Sequence, residues 1–515
     1  MAVSTKKLVS WTVVGTIMTV IGIVLIPLSD FTVRTILEKE EILVPESMAY
    51  PLWRDVPLPI YMQFWFWNLT NPEEFLQGGP ARLEELGPYS YREYRPKTNI
   101  THHDNGTVSY MNLKSFVFDR EMSVGPESDT FVSINGPVFT IAYWLRNQKD
   151  PVQGIWELVH AISEAELIIE IPVGGFVWGY PDKYLELAQD ILGEERVPST
   201  NFGVLMTYNN SDDGIWTVYT GEDNIMDLNR MDMWNREKLL PYWTTDIANA
   251  LNGTDGTIMH PYVEKTEEVY VFSTYVCRSG FVVYEGYRNF RGAWLYHFSA
   301  PEYLYANATI YPPNIDFCTP NQTTCPPTGL LNVSECYFQA PVYLSSPHFL
   351  YGDESLFESV IGMKPDKDEH ELAVDIDPLT GVTFRGDLRA QVNMKVGPYD
   401  FIEGAANVRE MYFPLVWLNE SAELPEEYSR LYRNYVQISS YVVLAVIVLL
   451  ISVGGGILVG IASFLVWRRY WKKPAKKEDE SMKSMATDQG KQAEVYITKR
   501  TADKSIQCGE ALDAT

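Results

Sequence analysis

Residues 8–28 read LVSWTVVGTIMTVIGIVLIPL, a stretch of 21 residues without a charged side chain, and two lysines precede it. A second uncharged stretch, residues 441–467, is followed at once by a basic cluster that begins at Arg468. Each stretch is long enough to span the hydrocarbon core of a bilayer as a helix. Because both basic flanks lie outside the pair of spans, the positive-inside rule predicts that both termini are cytosolic.

This topology divides the chain into five predicted segments: a cytosolic N-terminus (1–7), a span (8–28), an ectodomain (29–440), a second span (441–467) and a cytosolic tail (468–515). A cleaved signal peptide is the alternative for the first span. The apolar run exceeds the usual signal core, however, and no small-x-small cleavage site closes it.

The charge distribution agrees with this division. The 515-residue chain carries a formal charge of −26, with +2 in residues 1–29 and +3 in residues 468–515, so that −31 falls between them. The ectodomain is therefore acidic. A general nucleic-acid binder needs a basic face for phosphate contacts, and this composition argues against that class of protein.

Potential N-glycosylation sites provide an independent indication of topology. Nine N-x-S/T triplets occur, and all lie between the two spans: Asn68, Asn99, Asn105, Asn209, Asn252, Asn307, Asn321, Asn332 and Asn419. We expect glycans at these asparagines, because acceptors confined to one side of the spans indicate a segment that enters the secretory lumen.

Four of the five cysteines, Cys277, Cys318, Cys325 and Cys336, lie in the same segment. An oxidising compartment favours disulfides, and four cysteines allow three pairings. A zinc site is the alternative, but closely spaced cysteine pairs of the zinc-binding type are absent from the sequence.

The ectodomain sequence predicts a single large domain, since no repeat interrupts it. Gly, Pro, Asn and Asp frequently separate its strand-like runs, which favours short antiparallel strands joined by turns. Residues 269–276 (VYVFSTYV) are typical of a strand. Helices are predicted after Asn71, which precedes Pro72 as an N-cap, and within residues 353–361.

The most informative predicted helix begins near Asp150, which could cap it, with Pro151 in the first position. Apolar residues and one histidine then recur at helical spacing: Val152, Ile155, Trp156, Val159, His160 and Ile162. A buried core helix is one interpretation. The other is an exposed apolar surface that binds a lipid or protein partner.

A collinear series of short motifs resembles the class B scavenger receptor family, which includes fatty-acid translocase, the high-density-lipoprotein receptor and a lysosomal integral membrane protein. The motifs cover the ectodomain in order: NPEE (71–74), GPY (87–89), WGY (178–180), TGED (220–223), NGTDG (252–256), HP (260–261), CRS (277–279), PHF (347–349) and DIDPLTG (375–381).

This resemblance implies a barrel-like antiparallel β ectodomain with an apical α-helical bundle near residues 150–192 and an internal lipid-conducting tunnel. It also implies disulfides between Cys277 and Cys336 and between Cys318 and Cys325. The expected function is a cell-surface receptor that binds lipoproteins, fatty acids, cholesterol or phospholipid and transfers hydrophobic cargo to the bilayer. The helix from Asp150 would belong to the apical partner-binding surface.

Two other functions are compatible with this topology. A lysosomal membrane glycoprotein would instead dock and sort a hydrolase, although the tail lacks an acidic dileucine signal. A two-span ion-channel subunit shares the topology, but both predicted spans lack charged residues. Gly456 and Gly460 form a G-x-x-x-G motif that would permit self-association into a homo-oligomer.

The sequence carries no catalytic signature, so that no enzymatic activity, cofactor or metal is predicted. The seven histidines are scattered. Acidic neighbours of His370 are more simply explained by a solvated charged turn than by a metal site. His160, on the apolar helix, is the candidate for a pH switch in the endosomal range.

Overall fold

The structure, a computed structural model, describes residues 4–148 and 150–471. It divides into two compact units. One unit contains residues 4–32 and 438–471, and the other is Val33–Gln437. Most of the predicted cytosolic tail, including the lysines after Arg469, lies outside the described residues.

The helices differ widely in length. They are α1 (Thr5–Glu40), α2 (Ala49–Arg54), α3 (Pro72–Leu76), α4 (Gly136–Leu145), α5 (Asp150–Ser163), α6 (Val173–Trp178), α7 (Lys183–Leu192), α8 (Asp246–Asn249), α9 (Glu354–Phe357), α10 (Lys367–His370), α11 (Glu426–Tyr432) and α12 (Ile438–Trp471). Short 3₁₀ helices occur at Ile225–Asp227, Pro312–Phe317, Ser334–Cys336 and Pro347–Phe349, and a π-helix occurs at Arg433–Gln437.

The strands belong to the Val33–Gln437 unit. They are β1 (Ile60–Leu69), β2 (Ala81–Tyr94), β3 (Lys97–His103), β4 (Thr107–Asp119), β5 (Thr130–Ile134), β6 (Ile168–Pro172), β7 (Tyr180–Pro181), β8 (Asn201–Phe202), β9 (Ser211–Tyr219), β10 (Met231–Trp234), β11 (Val269–Ser273), β12 (Arg278–Phe290), β13 (Ala293–Ser299), β14 (Leu331–Asn332), β15 (Val342–Ser345), β16 (Val360–Ile361), β17 (Ala373–Ile376), β18 (Thr383–Val396) and β19 (Met411–Glu423).

One large sheet dominates the unit. Its main path runs β10-β9-β4-β2-β1-β19-β18-β17-β13-β12-β11. Neighbouring strands on this path are antiparallel, and the short strand β16 adds a parallel contact to β2. Mostly antiparallel structure in a nearly closed barrel, with apolar helices at both ends of the chain, confirms the predicted fold class.

The NGTDG motif brings the two ends of this sheet together. The amide of Met231 on β10 donates to the carbonyl of Gly253, and the amide of Phe272 on β11 donates to the carbonyl of Thr254. Gly253 has φ +76°, and a Cβ there would lie 1.9 Å from the carbonyl oxygen of Tyr270. Glycine is therefore required where the backbone closes the barrel.

One predicted helix boundary is confirmed and one is wrong. Helix α3 begins at Pro72 with Asn71 in the N-cap position, as predicted, although the Asn71 side chain makes no capping hydrogen bond. Instead, its amide nitrogen donates to the Glu74 carboxylate and to the Pro80 carbonyl, and its oxygen accepts from the Arg82 amide, which ties the helix to β2. The helix predicted within 353–361 ends at Phe357, because strand β16 then pairs with β2.

The terminal unit contains two helices long and apolar enough to cross a membrane. The two helices approach each other closely at glycine positions, where no side chain separates the backbones. A Cβ at Gly454 would lie 2.7 Å from the carbonyl oxygen of Gly15, and one at Gly22 would lie 2.7 Å from Ile451. Around Gly456 and Gly460, a Cβ would meet no described atom within 4 Å, so that this predicted motif does not form the contact between the two helices.

Candidate functional site

A largely apolar cavity of about 160 Å³, named the main cavity, lies within the Val33–Gln437 unit. Its walls come mainly from β11, β12, β18 and β19. On three of these strands, alternate residues face it: Val269, Val271 and Ser273; Leu388, Ala390 and Val392; Val416, Leu418 and Glu420. Alternation of this kind follows from the two-residue period of a β-strand. The interior of the barrel is therefore suited to an apolar ligand.

The row on β12 begins with a charged residue. Arg278, Gly280 and Val282 line the cavity at a spacing of two, and the Arg278 side chain is 4% exposed. Its guanidinium carbon lies 3.5 Å from the centroid of the Phe317 ring, and its Nε donates to the carbonyl of Ser279. Burial lowers the pKa of this guanidinium to about 10.

Glu420 ends the row on β19, and it is paired. An Nη2 atom of Arg95 lies 2.6 Å from the Glu420 carboxylate and equally close to that of Glu93. Burial raises the pKa of Glu93, while the nearby Arg95 opposes that effect. This triad is enclosed by protein, so that its charges are satisfied before any ligand enters the cavity.

A second buried pair lies beside the cavity wall. The Nζ of Lys114 is 2.9 Å from the Asp213 carboxylate and donates to the Tyr275 hydroxyl at 3.1 Å. Tyr275 lines the cavity, and burial raises the pKa of its hydroxyl well above the usual value. Tyr275 is therefore a neutral polar group at the cavity wall.

The predicted partner-binding helix exists as α5, but the structure divides its predicted face in two. Ile155 and Ile162 are 53% and 57% exposed, and Val152 is also exposed. Trp156, Val159 and His160 are buried. Placing these three on an exposed surface was wrong, because α7 covers them: the rings of Trp156 and His160 pack edge-on against the Tyr184 ring.

The exposed side of α5 includes a residue that the sequence prediction did not contain. Leu158 is 60% exposed and lies one turn from Ile155 and from Ile162. Residues three and four apart share one side of a helix. Ile155, Leu158 and Ile162 therefore form an apolar ridge.

His160 lies in an apolar setting. Burial lowers the pKa of this imidazole, and the charge of Glu403 opposes the shift. Its Nδ1 has no hydrogen-bond partner within the part of the chain that the structure describes. Neutral His160 is therefore part of the packing between α5 and α7.

The structure joins Cys277 to Cys336 and Cys318 to Cys325, the pairing that the resemblance implies. Cys277 immediately precedes Arg278, and the first disulfide therefore fixes the start of β12. The second disulfide lines a smaller cavity, which shares Arg278, Leu304 and Tyr305 with the main cavity.

The nine potential glycosylation sites differ in accessibility. Asn99, Asn105, Asn252 and Asn321 are exposed, whereas Asn68, Asn209 and Asn307 are half-buried. Asn332 and Asn419 are buried, and their amide nitrogens donate to the Thr319 carbonyl and to the Asp387 carboxylate. A glycan is attached through this nitrogen, and in this structure the nitrogens of these two asparagines are hydrogen-bonded inside the fold.

The histidine that the sequence assigned to a solvated turn is also buried. His370 packs against His348 and Trp417 beside a polar cleft. Groups of three or more metal-ligating side chains suited to holding a metal ion do not occur among residues 4–148 and 150–471.

Residues 13–466 match the family model described as the CD36 family. The chain belongs to the CD36 family. This CD36-family chain is 38% identical to lysosome membrane protein 2 of Rattus norvegicus over 393 residues, which cover 76% of this chain and 80% of that protein. It is 33% identical to scavenger receptor class B member 1 of Bos taurus over 414 residues, 80% of each chain.

These relatives are named as receptors and membrane proteins rather than as enzymes. Membership of the CD36 family supports a receptor or lipid-handling role, and the two apolar terminal helices fit a two-pass membrane protein.

The sequence did not indicate that Arg278 lines the cavity, because this residue was noted only as part of the CRS motif. The feature that could have indicated it is a single arginine at the start of the apolar run RSGFVV.

Proposed function

We propose that this chain is a two-pass receptor that binds lipid in the barrel cavity and transfers it to the membrane, with both termini in the cytosol. The observation that carries this proposal is the apolar cavity inside the barrel, which is lined by side chains of β11, β12, β18 and β19. Each methylene group moved from water into such a wall contributes about 0.8 kcal/mol, so that acyl chains and sterols would enter spontaneously. Lipoproteins would supply these molecules, and the bilayer would receive them.

A substitution that fills the cavity tests this proposal. Gly280 lines the cavity, and a Cβ there would meet no described atom within 4 Å. Gly280→Trp should therefore fill the space without disturbing the sheet. Gly286 lies on the same strand, has equally open space and is not among the cavity-lining residues, which makes Gly286→Trp the matched control.

Cells that express the full chain would be given lipoproteins carrying a labelled, non-hydrolysable cholesteryl ether. We expect uptake above that of untransfected cells, a several-fold loss in Gly280→Trp and little change in Gly286→Trp. Equal uptake by all three proteins at equal surface expression would refute the cavity as the lipid route.

A second candidate function is the docking and sorting of a lysosomal hydrolase, and the exposed ridge of Ile155, Leu158 and Ile162 favours it. Ile155→Asp would weaken such docking without disturbing the core. Ile247→Asp is the matched control, since Ile247 is exposed on α8. Steady-state imaging would distinguish lysosomal from surface residence, and a hydrolase that co-purifies with the wild type but not with Ile155→Asp would support this function.

A further inference from the structure

Arg278 differs from the other charged residues that line the main cavity. Glu420 is paired with Arg95, and Arg389 donates to the carbonyl of Glu371 and lies 3.6 Å from Asp387. No carboxylate lies within 4.0 Å of Arg278 among the residues that the structure describes. Its guanidinium is held by one backbone carbonyl and one aromatic ring.

A buried charge without an opposite charge is costly, since desolvation is not offset by pairing. Stacking on Phe317 recovers part of this free energy, because a cation is attracted to the face of an aromatic ring. Among the described residues, the Arg278 side chain donates a hydrogen bond only through its Nε, so that its two Nη atoms remain available. Burial also lowers the pKa of the Arg278 guanidinium to about 10, which still leaves it charged at neutral pH.

Neighbouring polar groups do not supply an opposite charge. Burial raises the pKa of the nearby Tyr305 and Tyr270 hydroxyls, so that both remain neutral at neutral pH. Asn314 shares the smaller cavity with Arg278, but its amide donates to the carbonyls of Tyr303, Leu304 and Ala306. The amide of Asn307 donates to the Pro326 carbonyl. The wall between the two cavities therefore contains one strong donor whose capacity the protein leaves largely unused.

We propose that Arg278 is a specificity-determining residue that binds the anionic headgroup of an amphiphile whose apolar chain lies in the main cavity. This inference rests on the proposed lipid-binding function and assigns the recognition of the headgroup to one residue. A carboxylate or phosphate oxygen would accept from the guanidinium, and the two parallel donors of arginine match either group. Neutral lipids of equal chain length would bind more weakly.

The test compares ligands that differ only in headgroup charge. Purified full-length protein in detergent would be titrated with radiolabelled oleate, methyl oleate and dioleoyl phosphatidic acid at neutral pH. We expect wild type to bind oleate roughly tenfold or more tightly than methyl oleate, the discrimination typical of a charged hydrogen bond. Equal affinity for both would overturn the proposal without any variant being needed.

Three variants separate specificity from structure. Arg278→Gln should lose the preference for oleate while methyl oleate binding is unchanged, and Arg278→Lys should restore part of it. Arg288→Gln is the matched control, because Arg288 lies on the same strand with an exposed side chain and should keep the full preference. Equal losses for oleate and methyl oleate in a folded Arg278→Gln protein would indicate a structural role and overturn the proposal.

Two further comparisons identify the class of anion that binds and show which of the two proposals a negative result contradicts. Tighter binding of phosphatidic acid than of oleate would assign the site to a phospholipid headgroup, and the reverse would assign it to a free carboxylate. If neither oleate nor methyl oleate binds, or if Gly280→Trp leaves both affinities unchanged, the proposed function itself is wrong. If both bind equally and Gly280→Trp blocks both, only the role of Arg278 is wrong.

Discussion

The imidazole rings of His348 and His370 stack with their centroids 4.1 Å apart. The Nδ1 of each ring accepts a backbone amide hydrogen, from Lys364 in one case and from Asp366 in the other. Neither Nδ1 can therefore carry a proton in this arrangement. The Nε2 of His348 must then donate to the Glu85 carboxylate, at 2.7 Å.

This pair predicts that acid weakens the fold. Burial lowers the pKa of His370 to about 4 from an ordinary value of 6.5. The unfolded chain therefore takes up a proton first as the pH falls, and stability present above pH 6.5 is lost towards pH 4. We expect a loss of about 1–2 kcal/mol, less than the full shift would give because His370 borders a polar cleft and is partly screened.

Urea unfolding of the full chain between pH 4 and 7 measures this effect. His370→Phe should lower stability at pH 7 yet flatten its pH dependence over this range. His103→Phe, at an exposed histidine, should keep the wild-type slope. An unaltered slope in His370→Phe would assign the pH dependence to other groups.

A buried ion pair should make a larger contribution. The Nζ of Lys97 lies 3.2 Å from the Asp255 carboxylate, and both side chains are almost completely buried. Despite burial, Lys97 and hydrogen bonds from Thr257 and Asn229 lower the pKa of Asp255 to about 2. A depressed carboxyl pKa adds stability above pH 3.8 that is lost only as the pH falls towards 2.

Asp255→Asn should therefore destabilise the protein by about 3–5 kcal/mol at pH 7, because Lys97 is left buried without its counterion. Denaturant unfolding is the measurement. Asp55→Asn is the control, since the Arg54–Asp55 pair is exposed and should contribute less than about 1 kcal/mol. Similar effects of the two substitutions would show that the interior around Lys97 is hydrated.

The antiparallel strands were predictable from the residues, because β-branched and aromatic runs separated by turn residues are local signals. The barrel was expected only from the family resemblance, since the contacts of Gly253 with β10 and β11 that close it join segments distant in the chain. Helix α5 was also predictable, because the helical spacing of its apolar residues is a local signal. Which side of the helix is buried was not predictable. Its apolar arc contains both Trp156 and Ile155, and only the position of Tyr184 on α7 decides which of them is covered.

The burial of Trp156 reverses the expected effect of changing it. Trp156 is 2% exposed, so Trp156→Ala should cost about 3–5 kcal/mol by leaving a cavity between α5 and α7. Leu158→Ala on the exposed side should change stability by less than about 0.5 kcal/mol. Thermal and urea unfolding of both variants measure this difference. A stable Trp156→Ala protein would mean that α5 is not packed on α7 in solution.

Glycan occupancy tests the proposed topology and the burial of individual asparagines together. An asparagine glycosylated during synthesis could not adopt the enclosed position of Asn332 or Asn419, whose amide nitrogens are hydrogen-bonded inside the fold. We therefore expect glycans at the exposed sites Asn99, Asn105, Asn252 and Asn321 and none at the two buried ones. Enzymatic deglycosylation in heavy-oxygen water, followed by peptide mass spectrometry, marks each occupied asparagine. A glycan on Asn332 or Asn419 would contradict the burial described here, whereas nine unmodified asparagines would place the Val33–Gln437 unit in the cytosol and refute the receptor topology.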